Sequence, residues 1–325
     1  MNCPYCLVPF KPKEEKKGNS TLYICSNPNC KREVPTVYVR KGWGVKSVSV
    51  GLVGFPGHGK TVYLTSLFYL LKFLKQKWEK YYFLSLDDNT HKIMHIHVLL
   101  FEDSQLPGRT QANFPEPSLI HFQKIPNFGD LFLSAYDTGG DVFYDTLKIA
   151  EQGRFVAHSD IVFFNISITE CSENGRKWQD SMESLLDTYV RAVNRMNVKL
   201  LKKQHLVVVL TKGDSLIETS ENRRLSPDLA DYLTNGSYEE YVGFKNERTL
   251  RNSLKESSKL VRGWLINREC RGFIKAAEDN FRSVKYTLVS STGAAPEGMR
   301  LKTKLTPQDP KRVLDPFLWT LYEIF

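Results

Sequence analysis

The stretch Gly54-Phe55-Pro56-Gly57-His58-Gly59-Lys60-Thr61 decides the fold, because it matches the phosphate-binding pattern G-x-x-x-x-G-K-[ST] at every fixed position. Glycines let backbone N–H groups approach phosphate oxygens, and the N-terminus of a following helix adds positive potential. The pattern predicts a nucleotide site in which Lys60 reaches the β- and γ-phosphates and Thr61 binds Mg²⁺. Its predicted binding residues are Gly54, Pro56, Gly57, His58, Gly59, Lys60, Thr61 and Val62.

The segments around this loop alternate apolar runs with amphipathic stretches, which predicts an α/β fold with a mixed or mainly parallel sheet flanked by helices. The predicted strands or extended segments are 46–53, 91–101, 118–125, 131–136, 161–166, 206–210 and 284–289. The predicted helices are 60–80, 144–157, 177–202 and 315–325. We expect one domain over residues 43–325, with a helical insertion at about 215–283, and a separate small module over residues 1–42.

Asp137-Thr138-Gly139-Gly140 follows a predicted strand and matches D-x-x-G, although such a tetrapeptide is often only a turn. In this pattern Asp137 holds Mg²⁺ through a water, and the Gly140 backbone N–H contacts the γ-phosphate. A further Mg²⁺ ligand is expected from a threonine before an edge strand, and Thr110 is preferred over Thr90. The predicted catalytic residues are Lys60, Thr61, Thr110, Asp137 and Gly140.

Thr211-Lys212-Gly213-Asp214 follows another predicted strand and matches [N/T]-K-x-D. An Asp214 carboxylate accepts two hydrogen bonds from guanine, whereas adenine offers no matching donor pair, and the Lys212 stem would lie over the ring. Thr211 stands where asparagine is usual, and its hydroxyl replaces only part of the bonding of an amide. Ser290, Ser291 and Thr292 suit a last loop that approaches the guanine oxygen. A solvated turn at residues 211–214 is the alternative.

Cysteines in the first module are paired as Cys3-x₂-Cys6 and Cys25-x₄-Cys30, which is the spacing of a zinc ribbon. A chain of about 40 residues needs such a metal, or disulfides, to fold without a large core. The alternative is a redox or disulfide pair. Cys171 and Cys270 are expected to be ordinary thiols. A second metal site at His91, His95 and His97 is a weaker alternative, since these residues alternate as in a strand.

The formal charge is +9, and residues 1–46 hold nine Lys or Arg against three Glu. A basic balance of this size fits contact with nucleic acid, for which the ribbon is a candidate, or with an acidic membrane surface, although many other proteins share it. No apolar run approaches the ~18 residues that span a bilayer, so no transmembrane segment is expected. The start Met-Asn-Cys-Pro-Tyr-Cys lacks a basic segment followed by an apolar one, so we expect no secretory signal and a cytoplasmic protein.

The four motifs in this order resemble the TRAFAC class of GTPases, the group that includes Ras-like and translation-factor GTPases, over residues 46–325. A zinc ribbon directly ahead of such a domain resembles bacterial double-GTPase type proteins, thought to act as switches in conflict or defence systems. The resemblance implies a P-loop NTPase sheet preceded by a zinc ribbon, with GTP or GDP, Mg²⁺ and Zn²⁺ as cofactors. It also implies a protein partner that recognises the switch loops, either another GTPase or a second copy of this chain.

One position departs from the Ras-like pattern, because Asp141 follows D-x-x-G where a water-orienting glutamine is expected. A carboxylate beside a γ-phosphate is electrostatically unfavourable, so we expect slow intrinsic hydrolysis. Arg109 and Arg154 are candidate internal arginine fingers, although each also fits an ordinary surface position. Two other functions remain open: a scaffold that binds but does not hydrolyse GTP and works through its ribbon, and an ATP-using or kinase-like protein.

Overall fold

The computed structural model describes residues 2–18, 20–41, 44–76, 78–108, 110, 115–169, 175–216, 227–237, 241, 247–298, 300–301 and 303–325. The strands of these ranges are β1 (Lys13–Lys17), β2 (Ser20–Ile24), β3 (Glu33–Val34), β4 (Lys46–Val53), β5 (Tyr82–Ser85), β6 (Ser118–Ile125), β7 (Gly129–Tyr136), β8 (Ile161–Ser167), β9 (His205–Thr211) and β10 (Ser283–Leu288). The helices are α1 (Thr36–Lys41), α2 (Lys60–Leu74), α3 (Asp88–Glu102), α4 (Thr146–Gln152), α5 (Gly175–Met196), α6 (Pro227–Thr234), α7 (Glu247–Asn267), α8 (Arg271–Asn280) and α9 (Asp315–Ile324). Within these ranges no helix is both long enough and apolar enough to cross a bilayer.

The larger sheet has the spatial order β10-β9-β8-β4-β7-β6-β5. Neighbours from β10 to β7 are parallel, whereas β6 runs antiparallel to β7 and β5 runs antiparallel to β6. The predicted mixed α/β sheet flanked by helices is therefore confirmed. The first strand, β4, lies between β7 and β8, so the chain leaves it toward one edge and later crosses to the other.

Helices cover both faces of this sheet. In β9, Leu206, Val208 and Leu210 belong to an apolar cluster that includes residues of α5 and α8. Val207 and Val209 point the other way, into a cluster that includes residues of α2 and α9. Every residue of β8 and β9 is buried, which is typical of parallel strands between two helical layers and explains their continuous apolar sequences.

Residues 91–101, predicted as extended, instead form most of helix α3, so that prediction was wrong. The helix begins after Asp87, whose side chain accepts a hydrogen bond from the Thr90 backbone N–H at 2.7 Å. Met94, Val98 and Phe101 recur at helical spacing and pack into the cluster that contains α2. This apolar period, and not the alternation of histidines, determines the conformation.

The histidines of α3 accordingly do not share a strand face. His91 and His95 are exposed and lie one helical turn apart, with ring centroids 6.1 Å from each other. The side chain of His97 lies outside the described residues. Among the described side chains, neither His91 nor His95 belongs to a group that could hold a metal ion.

Several element boundaries also differ from the prediction. Helix α2 ends at Leu74, well before residue 80, and the short edge strand β5 was not predicted. The predicted helix 144–157 is interrupted, because Asp145 caps a new helix with a side-chain bond to Leu147 N–H and Gly153 ends it. Between β9 and β10, helices α6, α7 and α8 occupy the region of the expected helical insertion.

The N-terminal residues form a three-stranded antiparallel sheet, β1-β2-β3, followed by α1. Its own apolar cluster extends onto the larger sheet, since Tyr38 packs with Leu119 of β6 and Phe132 of β7. The rings of Tyr38 and Phe132 are 5.4 Å apart. The expected boundary between residues 42 and 43 falls outside the described residues. These contacts place the N-terminal sheet against the β6–β7 side of the large one.

Candidate functional site

The motifs predicted to act together lie at the carboxyl ends of the parallel strands. Gly54 follows β4, Asp137 follows β7, Thr211 ends β9, and Ser290 comes shortly after β10. Because the chain reverses its direction of winding beside β4, a crevice opens at this end of the sheet, where α/β proteins bind ligands. The fold thus brings together four motifs that are up to about 240 residues apart in sequence.

The loop from Gly54 to Thr61 wraps around the side chain of Lys60. The Lys60 ammonium donates to the carbonyl oxygens of Gly54 at 2.8 Å and Phe55 at 3.4 Å. Burial lowers the pKa of Lys60, and the nearby carboxylates of Asp137 and Asp141 oppose that effect. Gly57 and Gly59 have φ angles of 82° and 75°, which L-residues with side chains rarely adopt. This loop therefore presents a buried cation to the crevice. Its backbone conformation would be strained if residues with side chains replaced these glycines.

His58 and Thr211 connect the glycine-rich loop to strands β8 and β9. The Nδ1 of His58, which is 2% exposed, lies 2.9 Å from the Asn165 carbonyl oxygen of β8. Burial lowers the pKa of His58 to about 4, so the ring is neutral at neutral pH and donates through Nδ1. The Thr211 hydroxyl lies 2.9 Å from the His58 carbonyl and 3.2 Å from the Ile166 carbonyl. A hydroxyl has one hydrogen to share between these acceptors, which fits the expected partial replacement of an amide.

Three side-chain oxygens meet beside the loop. The Thr61 hydroxyl is 2.7 Å from Asp137 Oδ2 and 2.6 Å from the Thr110 hydroxyl. Thr110 Oγ1 is itself 3.3 Å from the same Asp137 oxygen. Thr90, the rejected alternative, lies elsewhere: it is fully buried, and its hydroxyl accepts the Leu119 backbone N–H at 2.8 Å. Hydroxyl and carboxylate oxygens of this kind suit a hard divalent cation such as Mg²⁺.

Gly140 presses against the glycine-rich loop. A Cβ added to it would lie 2.2 Å from the Pro56 nitrogen and 2.3 Å from the Phe55 carbonyl carbon, so no side chain fits. Asp141 comes next, at the start of a 3₁₀ turn over Gly140–Tyr144. The same turn ends with Tyr144, whose ring stacks on Phe55 at a centroid distance of 4.5 Å. The D-x-x-G segment and the loop are therefore in direct contact.

Two adjacent cavities occupy the crevice. One of about 460 Å³ is lined by the glycine-rich loop, by Pro107, Gly108 and Thr110, and by residues 138–140. The other, of about 270 Å³, is lined by Asp214 together with apolar groups such as Leu106 and Pro296. Gly59, Val62 and Lys212 line both. The larger cavity has the more polar lining, whereas the smaller one is more enclosed and more apolar, so the pair could take the phosphate end and the base end of a nucleotide.

The second cavity contains most of the residues predicted to contact a base. Thr211, Lys212, Asp214, Ser291 and Thr292 line it. Ser290 does not line the cavity but lies behind Asp214: its hydroxyl donates to Asp214 Oδ1 at 2.5 Å and accepts the Gly293 backbone N–H at 2.9 Å. The buried Asp214 carboxylate is thereby oriented by a neighbouring loop.

The four N-terminal cysteines converge into a cluster that can hold a metal ion such as zinc. All four sulfurs lie within 4.8 Å of one another, with Cys6 and Cys25 at 3.8 Å and Cys3 and Cys30 at 4.0 Å. A tetrahedral zinc site with Zn–S bonds of about 2.3 Å places its sulfurs about 3.8 Å apart, so the donor set fits. None of the four forms a disulfide. The arrangement present is therefore four free thiols brought together, not two disulfides.

Hydrogen bonds shape the two turns that carry these cysteines. Leu7 N–H donates to the Cys3 carbonyl at 2.8 Å, and Cys30 N–H donates to the Asn27 carbonyl at 2.9 Å. The Asn27 amide also donates to Cys6 Sγ at 3.5 Å. Burial raises the pKa of the Cys3 thiol, so a bound cation is needed to keep that sulfur as a thiolate. Each turn thus aims two sulfurs at a common point.

Some of the other sequence candidates lie outside the part of the chain that the structure describes. Arg109 and Cys171, and the side chain of Arg154, lie outside the described residues. Cys270 is buried at the start of α8, and its thiol lies 3.4 Å from the Arg268 carbonyl. Asn165, which sequence reasoning missed, contacts His58 through its backbone carbonyl oxygen, so the amide that interrupts the apolar run Ile161–Ile166 is not what supports the histidine.

Comparison with known proteins adds no relative: no protein-family model matches the chain, and no curated protein matches it in sequence. The functional argument therefore rests on the residues and their geometry.

Proposed function

We propose that this protein binds GTP with Mg²⁺, hydrolyses it slowly to GDP, and acts as a nucleotide-dependent switch. The observation that carries the proposal is the meeting of Thr61, Thr110 and Asp137 beside the loop that encloses Lys60. Thr61, Thr110 and Asp137 come from different parts of the sequence. A glycine-rich turn with only a structural role would not require these three side chains to meet. Their arrangement supports a phosphate site with a divalent cation rather than a structural turn.

Each part of the crevice has a role in this proposal. Lys60 and the backbone N–H groups of the glycine-rich loop bind the phosphates, and Thr61, Thr110 and Asp137 hold the Mg²⁺, which neutralises phosphate charge when bound. The Gly140 backbone N–H contacts the terminal phosphate. Asp214 accepts hydrogen bonds from the base in the second cavity, with Lys212 along its face. Adenine would leave this carboxylate unpaired, which is the basis of the proposed preference for guanine.

The cysteine cluster completes the proposal as a Zn²⁺ site. Taken with the motifs, it supports the resemblance to TRAFAC-class GTPases carrying a zinc ribbon, of the bacterial double-GTPase type. In such a switch a protein partner recognises the segments around Thr110 and Gly140, whose positions depend on the terminal phosphate. Another GTPase or a second copy of this chain fits that role, and the basic ribbon is a candidate contact for nucleic acid. Action in the cytoplasm, within a conflict or defence system, is part of the same proposal.

Nucleotide competition tests the proposed base preference. Purified full-length protein is bound to a fluorescent guanine nucleotide and titrated with GTP, GDP, ATP and XTP. We expect GTP and GDP to compete at far lower concentrations than ATP. Asp214→Asn should weaken guanine binding by ~10²-fold or more and favour xanthine, because the new amide donates where xanthine accepts.

The exposed Asp180 of α5 provides the matched control, since Asp180→Asn removes an equal charge and Asp180 lines neither cavity of the crevice. It should leave the order of competition unchanged. Equal competition by ATP and GTP in the unaltered protein would contradict guanine recognition and support the ATP-using alternative.

A second candidate function is a scaffold that binds GTP without hydrolysing it. Asp141, which supplies a carboxylate where the water-orienting amide is expected, is the observation that favours it. A single-turnover assay with radiolabelled GTP separates the two, because a scaffold releases no phosphate over many hours whereas a slow enzyme releases a full equivalent.

A further inference from the structure

The side chain of Tyr136 joins the cysteine cluster to the crevice. Tyr136 is the last residue of β7 and is 1% exposed, and Asp137 follows it directly. Its hydroxyl donates to the Pro4 carbonyl oxygen at 2.6 Å. Pro4 lies between Cys3 and Cys6, within the turn that supplies half of the sulfur ligands. One hydrogen bond therefore connects the candidate metal turn to the residue beside a proposed Mg²⁺ ligand.

Leu7 provides a second connection between the Cys3–Cys6 turn and the crevice, through an apolar cluster. Leu7, at the end of the Cys3–Cys6 turn, is 4% exposed and belongs to the apolar cluster that contains Phe55 and Val142. Phe55 lies in the glycine-rich loop, and Val142 lies just after Gly140. Leu7 adopts a φ of 62°, a conformation held by its N–H bond to the Cys3 carbonyl at 2.8 Å. The position of Leu7 thus depends on the fold of the turn.

The conformation of the Cys3–Cys6 turn depends on the cysteine cluster. When bound, a zinc ion fixes four sulfurs that are otherwise joined by no covalent bond. Without it the Cys3–Cys6 turn keeps a small apolar cluster and hydrogen bonds such as that from the Tyr5 hydroxyl to Asp87 at 2.7 Å, but it loses the bonds that hold its two sulfurs to those of Cys25 and Cys30. If the turn moves, the buried Tyr136 hydroxyl loses its acceptor, which is costly in an apolar interior. The end of β7 must then rearrange or leave that hydroxyl unpaired.

We infer that Tyr136 is a positioning residue through which metal occupancy of the cysteine cluster controls Mg²⁺-dependent nucleotide binding. The inference rests on the function proposed above and adds its regulation: the ribbon is a metal-responsive part of the nucleotide site. Loss of metal releases Pro4 and Leu7 together and loosens both Asp137 and the glycine-rich loop. A single buried hydrogen bond corresponds to about a two- to tenfold change in an equilibrium constant, which sets the expected size of the Tyr136 contribution.

The test compares Mg²⁺ dependence in four samples: unaltered protein and Tyr136→Phe, each with zinc and after treatment with a zinc-selective chelator. Binding of a fluorescent guanine nucleotide is followed as Mg²⁺ is varied, and zinc content is measured in each sample. We expect zinc removal to raise the half-saturating Mg²⁺ concentration of the unaltered protein about three- to tenfold. Tyr136→Phe should show much of that increase while still holding zinc, and removing its zinc should add less.

Tyr69→Phe is the matched control, because the Tyr69 hydroxyl is also buried and donates to a backbone carbonyl, that of Leu305, at 3.2 Å. It removes the same group without touching the ribbon. Its Mg²⁺ dependence and its response to zinc removal should equal those of the unaltered protein. A general loss of stability would move both variants alike, whereas the inferred route moves only Tyr136→Phe.

Two results would overturn the inference. One is an unchanged Mg²⁺ dependence in zinc-loaded Tyr136→Phe; the other is an equal effect of zinc removal on Tyr136→Phe and on the unaltered protein. Either leaves the proposed function intact, provided the unaltered protein binds GTP in a Mg²⁺-dependent manner. Absence of any guanine-nucleotide binding by the unaltered, zinc-loaded protein would instead reject the proposed function itself.

Discussion

Among single residues, Thr110 and Thr90 offer the clearest test of the site, because both were candidates and their surroundings now differ. Thr110→Ala removes one of three oxygens that meet beside the glycine-rich loop. It should weaken Mg²⁺-dependent GTP binding by at least about tenfold, since even the loss of an outer-shell partner of a metal ligand costs ~10–100-fold. A Mg²⁺ titration of nucleotide binding measures this.

Thr90→Ala is the paired variant and should behave in the opposite way. It removes the acceptor of the buried Leu119 N–H and so should lower the free energy of unfolding by about 1–3 kcal/mol. Its Mg²⁺ dependence should remain that of the unaltered protein. If Thr90→Ala impaired Mg²⁺ dependence and Thr110→Ala did not, the assignment of Thr110 would be wrong.

His58 makes a prediction about acid stability. Burial lowers its pKa from 6.5 to about 4 in the folded protein, so the unfolded chain binds a proton more readily. Its contribution to stability is therefore complete above pH 6.5, declines as the pH falls toward 4, and is constant below that. At ~1.4 kcal/mol per pKa unit, the loss is about 3 kcal/mol.

Urea unfolding of the unaltered protein and of His58→Gln between pH 4 and 8 isolates this effect, because glutamine can donate to the Asn165 carbonyl but does not titrate in that range. The difference in unfolding free energy between the two proteins should change by about 3 kcal/mol across the window. His91→Gln, which replaces an exposed histidine of α3, should show no such change. A pH-independent difference for His58→Gln would contradict burial of a neutral ring.

At the scale of elements, the N-terminal sheet depends on its cysteine turns. Strand β3 has two residues and β1 is exposed along its whole length, so packing alone holds these strands weakly. We expect about one Zn²⁺ per chain in protein purified without chelators. Cys25→Ser should reduce that content to less than about half and increase hydrogen exchange of β1–β3, since metal binding and folding are coupled in such modules.

Cys270→Ser is the control for this prediction, because Cys270 is equally buried but directly precedes α8 and is not part of the cluster. Its zinc content, determined by elemental analysis, should equal that of the unaltered protein. Undetectable zinc in the unaltered protein would contradict the assignment of the metal.

The elements that sequence predicted well and badly differ in what surrounds them. Strands β8 and β9 were recognised from runs of apolar residues, because burial on both faces favours apolar side chains at most of their positions. The short edge strand β5 has a half-exposed pattern and exists through its pairing with β6, which no local signal reveals. Helix α3 was predicted as extended, although Met94, Val98 and Phe101 carry a helical period that determines its conformation.

For the whole molecule, the proposed switch predicts slow hydrolysis in isolation. Catalysis of phosphoryl transfer rests on positioning and charge stabilisation, and an arginine supplied by a partner contributes ~10³–10⁵-fold. With Asp141 in place of the water-orienting residue, we expect roughly one turnover per several minutes or slower, as in unassisted small GTPases. Lys60→Ala should abolish this activity, and Asp141→Gln should raise it if the missing amide is the main defect.

Phosphate release from monomeric protein free of contaminating phosphatase measures the rate, with Asp180→Asn as the control for loss of one carboxylate. Acceleration on adding a partner, or at concentrations that favour self-association across the nucleotide face, would support the switch. A basal rate of several turnovers per second would show that another group already orients the water, and Arg109 would be the first residue to replace.

The sequence alone determined the order of the motifs, the parallel core strands and the two closely spaced pairs of cysteines. Each of these features can be recognised from residues that are near one another in the sequence. Gly54–Thr61, Asp137–Gly140 and the cysteine pairs could be found without coordinates. Only the tertiary structure decided which threonine joins Thr61 and Asp137, and that Tyr136 contacts Pro4. These contacts join residues 27 to 132 positions apart. Strand order and packing of the ribbon on the sheet bring such distant residues into contact, and no local sequence pattern encodes either of them.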